Sequence, residues 1–231
     1  MENHYFDRLR ADRQKLALLK SHLVPKVNSR RCIVMGSAPN PIVPPLDEAF
    51  SICVNGSVFS AYKHWSAAPD LTYLNGAIFN DGDSYANATL EVISGKEIGD
   101  VVIARHTFGL ALEMMGKANM TFGETFPVSK YDKRVILGEA AGHSILGNYP
   151  FDANVSNGIF MAALALWLGA PEVLLVGFSF NSQHAYSTGK ELSKRGHIRE
   201  DALFLKHAVK AGLPLKTSSP EIGKDFGMSV V

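Results

Sequence analysis

The sequence predicts an α/β fold: a single Rossmann-like domain with a parallel sheet, helices on both faces, and an irregular lid or insert. Three observations predict it. Short apolar runs without polar alternation recur along the chain, as strands covered on both faces require. Helical patterns separate several of them, and strands alternating with helices argue for βαβ units. Three of the runs in the first third end abruptly in small polar clusters, where a parallel sheet places its ligand-facing loops. The 231 residues suffice for one domain with a substantial core. Lys plus Arg number 23 against 22 for Asp plus Glu, so there is no global pull on nucleic acid.

The elements follow in order. Residues 1–28 form an N-terminal amphipathic helix, because Leu9, Leu16, Leu19 and Leu23 recur at helical spacing, with Pro25 as the expected stop. Packing on the domain or on a second subunit is its ordinary use; Lys and Arg content alone supports a membrane-surface role. Residues 29–231 make the domain proper. Arg31 to Met35, Ser51 to Val54, Leu71 to Leu74 and Asp100 to Ala104 read as strands, and Val58 to His64 as a helix. Phe108 to Lys117 looks helical within a stretch, 105–152, otherwise read as an irregular lid or insert; 181–197 is a second candidate lid. Gly158 to Leu168 is apolar all round and should be a buried helix, stopped by Gly169 and Pro171. Glu172 to Gly177 is then a core strand, Asp201 to Ala211 a helix, and Leu213 to Thr217 a last strand, placed at the sheet edge by Pro214.

Cys32 and Cys53 lie in strand-like runs and read as two buried thiols rather than a disulfide; no Cys/His cluster suggests zinc. The first residues lack the basic-then-apolar pattern of a secretory signal, and no apolar run approaches the roughly 20 residues needed to span a bilayer. The expectation is a cytoplasmic protein.

The polar clusters Gly36-Ser37, Asn55-Gly56-Ser57 and Asn75-Gly76 close three strands. Glycine permits close backbone approach to a ligand, and Asn offers a donor and an acceptor to base or ribose edges. Turn chemistry explains any one of them as well. Ser156, Asn157 and Gly158 open the buried helix, where a cap and an anion site are compatible. The segment from Gly177 through Ser179, Asn181, His184 and Tyr186 to Arg195-Gly196-His197 supplies hydroxyls, cations and a candidate base. Asp81-Gly82-Asp83 has metal-binding spacing, though so short a match in a loop is common by chance. No GxGxxG or Walker motif occurs, which removes support for NAD binding and P-loop ATP hydrolysis.

Together these stretches resemble the bacterial sialyltransferases that use CMP-sialic acid to decorate lipooligosaccharide. The resemblance rests on Ile33-Val34-Met35-Gly36-Ser37-Ala38-Pro39, on Cys53-Val54-Asn55 and Tyr73-Leu74-Asn75, on Val155 to Gly169 followed by Val173 to Phe180, and on Gly196-His197 ahead of Asp201 to Leu205. It implies a glycosyltransferase that moves sialic acid or a related sugar from a CMP-activated donor to a glycan acceptor. His197 would be the base and Tyr186 a phosphate contact, with Gly36, Ser37, Asn55, Asn75, Ser156, Asn157, Gly158, Ser179 and Asn181 binding the nucleotide. It implies no resident cofactor and no divalent metal, with at most peripheral membrane contact, and it allows a homo-oligomer. The chain departs from the family pattern at Ser37, Asn154, Asn157, Ser179 and Asn181. Two other readings share the fold: an ATP- and metal-dependent transferase resembling the hydroxymethylpterin pyrophosphokinases, which would use Asp81 and Asp83, and a nucleotide-binding protein without catalysis.

Overall fold

The computed structural model describes residues 2–79, 84–142, 155–180 and 197–231. Eight strands form one all-parallel sheet: β1 Cys32–Met35, β2 Phe50–Val54, β3 Leu71–Leu74, β4 Asp100–Ala104, β5 Thr125–Val128, β6 Val173–Val176, β7 Leu215–Thr217 and β8 Ser229–Val230. Their spatial order is β5-β4-β3-β2-β1-β6-β7-β8. The chain builds outward from β1 to β5, then returns to lay β6 on the other side of β1. The strand order therefore reverses between β1 and β6, the point where open α/β sheets bind ligands.

Period-two side-chain alternation explains why the strands read as continuous apolar runs. Cys32, Val34, Phe50, Ile52, Leu71, Tyr73, Val173 and Leu175 enter one core layer. Ile33, Met35, Cys53, Leu74, Val101, Ile103, Leu174 and Val176 enter the other. The first layer is covered by α1 Glu2–Val27, α5 Lys130–Ala141, α6 Asn157–Trp167, α7 Ile198–Lys210 and α8 Pro220–Phe226. The second is covered by α2 Val58–Trp65, α3 Ser84–Ile93 and α4 Phe108–Lys117. Both faces are dry, so alternation in polarity has no place in these strands.

Helix α1 buries Leu16, Leu19, Leu23 and Val27, a stripe of helical period. It runs through Pro25 instead of stopping there: the Asn28 N–H still donates to the Val24 carbonyl at 3.0 Å, so proline costs little so near the helix end. Residues 105–142, expected as part of an irregular insert, are regular. They hold α4, the edge strand β5 and α5, and Pro127 inside β5 masked the strand signal. β7 is not the edge either, since β8 pairs beyond it, and Pro214 lies just before the strand with its carbonyl accepting from the Val173 N–H at 2.8 Å. Both cysteines are free and buried, and burial pushes each thiol up to about 12. Among the described residues no helix is long and apolar enough to cross a membrane.

Candidate functional site

Parallel strands all deliver their carboxyl ends to one edge of the sheet, and each helix that follows a strand begins there. At that edge Gly36 follows β1 and Gly177 follows β6. The Gly36 N–H donates to the Val176 carbonyl at 2.7 Å and the Ala38 N–H to the Gly177 carbonyl at 2.9 Å, which stitches the two loops across the switch point. A Cβ on Gly36 would lie 2.4 Å from the Gly177 oxygen, and Gly177 itself has φ +67°. This is why glycine occupies both positions. Ser37, beside them, is partly exposed, as is Ser179 beyond β6.

Asn55 caps β2 with φ 49°, a left-handed conformation that Asn tolerates better than most residues. Its Oδ1 accepts the Asn75 N–H at 2.8 Å, tying the end of β2 to the end of β3. Ser57 ties β2 to β1: its buried hydroxyl donates to the Met35 carbonyl and accepts the Val54 N–H, each at 2.7 Å. The three polar clusters are thus turn chemistry and one braced ledge at once. The side-chain amide NH2 of Asn55 has no partner among the described residues, which keeps a donor for a ligand.

Helix α6 opens onto the same ledge. Ser156 is its N-cap, accepting the Ile159 N–H at 3.4 Å, and its own N–H donates to Asp201 of α7 at 2.6 Å. Gly158 packs on the Phe178 ring, which a Cβ would approach to 2.7 Å. Asn157 receives the ammonium of Lys133, at 3.1 Å from Oδ1. Because Asp201 holds the first turn of α7 against the start of α6, His197 at the N-cap of α7 lies at this edge too, exposed. The structure therefore gathers Gly36, Ser37, Asn55, Asn75, Ser156, Asn157, Gly158, Ser179 and His197 at one edge. Asn181 and Tyr186, and the Asp81-Gly82-Asp83 motif, lie outside the described residues.

Two contributors escaped the sequence reading. Lys133 stands in a charged run, Lys130-Tyr131-Asp132-Lys133-Arg134, that looks like a solvated face. A usable signal was present, since Ser129 and Asp132 form a capping box that starts a helix directly after β5. Burial holds the Lys133 ammonium down to about 8. Asp201 reads as a surface residue of an amphipathic helix, yet it is buried and serves the Ser156 N–H.

No protein-family model matches the sequence, and no curated protein does. Solved structures do match. The monofunctional α-2,3-sialyltransferase Cst-I from Campylobacter jejuni aligns over 87% of this chain and 80% of its own, with 16% identity and a TM-score of 0.56. CstII from the same organism, in complex with the substrate analogue CMP-3FNeuAc, aligns over 87% and 86% with 17% identity and a TM-score of 0.55. CstII with a trisaccharide acceptor and CMP aligns over the same shares with 16% identity and a TM-score of 0.54. This chain has the fold of the Campylobacter sialyltransferases.

Proposed function

We propose that this protein is a sialyltransferase-like glycosyltransferase, transferring sialic acid or a related sugar from a CMP-activated donor to a glycan acceptor. The observation that carries the reading is the convergence, beside the β1–β6 switch point, of the Asn55–Asn75 ledge with the starts of α6 and α7. CstII, which shares the fold, has been crystallised with CMP, with CMP-3FNeuAc and with an acceptor trisaccharide. In the proposed reaction His197 takes the proton of an acceptor hydroxyl while that oxygen attacks the anomeric carbon of the donor sugar. The bond from that carbon to the phosphate oxygen breaks, and CMP leaves with the electron pair. The N-terminal end of α6 at Ser156-Asn157 and the Tyr186 hydroxyl stabilise the departing phosphate. Gly36, Ser37, Asn55, Asn75, Gly158, Ser179 and Asn181 hold the nucleotide. We propose that the displacement needs no divalent metal and takes place in the cytoplasm. Mass spectrometry of a glycan acceptor panel with CMP-sialic acid, with and without EDTA, tests the reading. Transfer that survives EDTA supports it; no CMP affinity alongside magnesium-dependent ATP binding would replace it with the pyrophosphokinase reading.

A further inference from the structure

Lys133 lies in the first turn of α5, which begins immediately after β5 and therefore at the ligand edge of the sheet. Its ammonium sits 4.4 Å from the centroid of the Tyr73 ring and 4.8 Å from that of Phe160, and it donates to Asn157 Oδ1 at 3.1 Å. Among the described residues it has no carboxylate partner. Other lysines do: Lys26 reaches Asp100 at 2.7 Å, Lys117 reaches Glu113 at 2.6 Å and Lys216 reaches Glu172 at 2.5 Å. The nearby carboxylate on α7, Asp201, is turned to the Ser156 N–H. A cation enclosed by two rings and an amide oxygen loses hydration without gaining a counter-charge, which is unfavourable for the protein alone. The same enclosure strengthens attraction to an arriving anion. Lys133 is still partly exposed, so an anion at the start of α6 can reach it. That helix start also offers the Asn157 and Gly158 N–H groups, first-turn donors with no partner among the described residues.

We infer that Lys133 is the cation that binds the phosphate of the nucleotide, acting with the first turn of α6. The inference rests on the nucleotide-binding reading above and adds a residue to it. The ammonium turns from Asn157 Oδ1 toward the phosphate oxygens or shares its protons between them. No bond is made or broken in this step; the role is to hold the phosphate and to offset the charge CMP carries on leaving.

Calorimetry of the wild type and of Lys133→Met and Lys133→Arg, each titrated with CMP and with cytidine at neutral pH, tests it. Methionine matches the stem of lysine in an apolar cage, and circular dichroism checks that the fold is kept. The expected result is a loss of about tenfold or more in CMP affinity for Lys133→Met, with cytidine affinity unchanged and partial recovery in Lys133→Arg. Undiminished CMP affinity, or an equal loss for CMP and cytidine, overturns the inference and leaves the sialyltransferase reading standing. If the wild type prefers UDP, GDP or ATP, the CMP reading falls, and the same ratio with that nucleotide and its nucleoside decides Lys133. A wild type that binds no nucleotide overturns both.

Discussion

At the amino edge of the sheet, Lys26 and His22 of α1 close on Asp100 at 2.7 and 2.9 Å, and Arg30 approaches Asp70 at 3.7 Å. At the carboxyl edge, Lys133 closes on two rings and an amide oxygen. The amino edge has a hollow of about 370 Å³, lined by Lys26, Arg30, Phe50, Asp70, Asp100 and Gly123 among others. There Lys26 is paired with Asp100 and Arg30 approaches Asp70, so an ion arriving at either pair would have to displace a partner already present. The carboxyl edge has spare donors and a cation, Lys133, whose ammonium touches two rings and an amide oxygen and, among the described residues, no carboxylate. The polar groups without counter-charges are what recommend the carboxyl edge as the candidate site.

The sharpest break between the two edges is kinetic. His197→Ala is expected to lower transfer by about 10²–10⁴ with CMP affinity retained, whereas Asp100→Asn leaves transfer intact. Steady-state assays and calorimetry on both variants would dissolve the contrast if Asp100→Asn proved the more damaging to catalysis.

Stability should respond at both edges. Gly36→Ala forces a methyl group onto the Gly177 carbonyl and is expected to cost about 1–3 kcal/mol in urea unfolding, with weakened CMP binding as the stitched loops part. Asp100→Asn removes the counter-charge of Lys26 and is expected to cost about 1–3 kcal/mol without touching CMP affinity. Burial would raise the Asp100 carboxyl, but hydrogen bonds from Lys26, His22 and the Glu124 N–H hold it below the usual carboxylate range. A depressed folded value stabilises above the unfolded one, so the gap between wild type and Asp100→Asn should close as pH falls below about 4.

The smallest effect separates the edges by the opposite sign. With its folded value near 8, below the ordinary lysine value, Lys133 binds fewer protons folded than unfolded between about 8 and 10.4. Its contribution to stability therefore rises with pH through that window. Cys32 and Cys53, pushed up to about 12, work the other way above their ordinary range. Subtracting the Lys133→Met curve from the wild-type curve removes the thiols and should leave the rise. The charged neighbours of Lys133 on α5, namely Lys130, Asp132 and Arg134, and Asp201 on α7 remain in both proteins. A flat difference would mean that Lys133 is solvated like any surface lysine.

Strands β1 to β3 and β6, and the buried helix α6, were legible because each is a contiguous apolar run with a Gly or Asn stop, and β4 was legible from its Val-Val-Ile centre. The same stops marked Gly36, Asn55 and Asn75, and the start of α6 marked Ser156. What they touch was not legible: Asn55 braces Asn75 across 20 positions, and Asp201 serves Ser156 across 45. β5 and α5 were missed because Pro127 interrupts the one and a run of charges disguises the other.

Local pattern alone determined that this chain would make a parallel sheet dressed on both faces, since period and polarity are properties of neighbours in sequence. Only the tertiary structure decided the strand order, the switch between β1 and β6, and which helix starts share an edge with the asparagine ledge. Lys133 shows the reason most directly. Its sequence neighbours are charged, but the groups that fix its chemistry, Tyr73, Asn157 and Phe160, come from β3 and α6, and folding alone brings them within 5 Å.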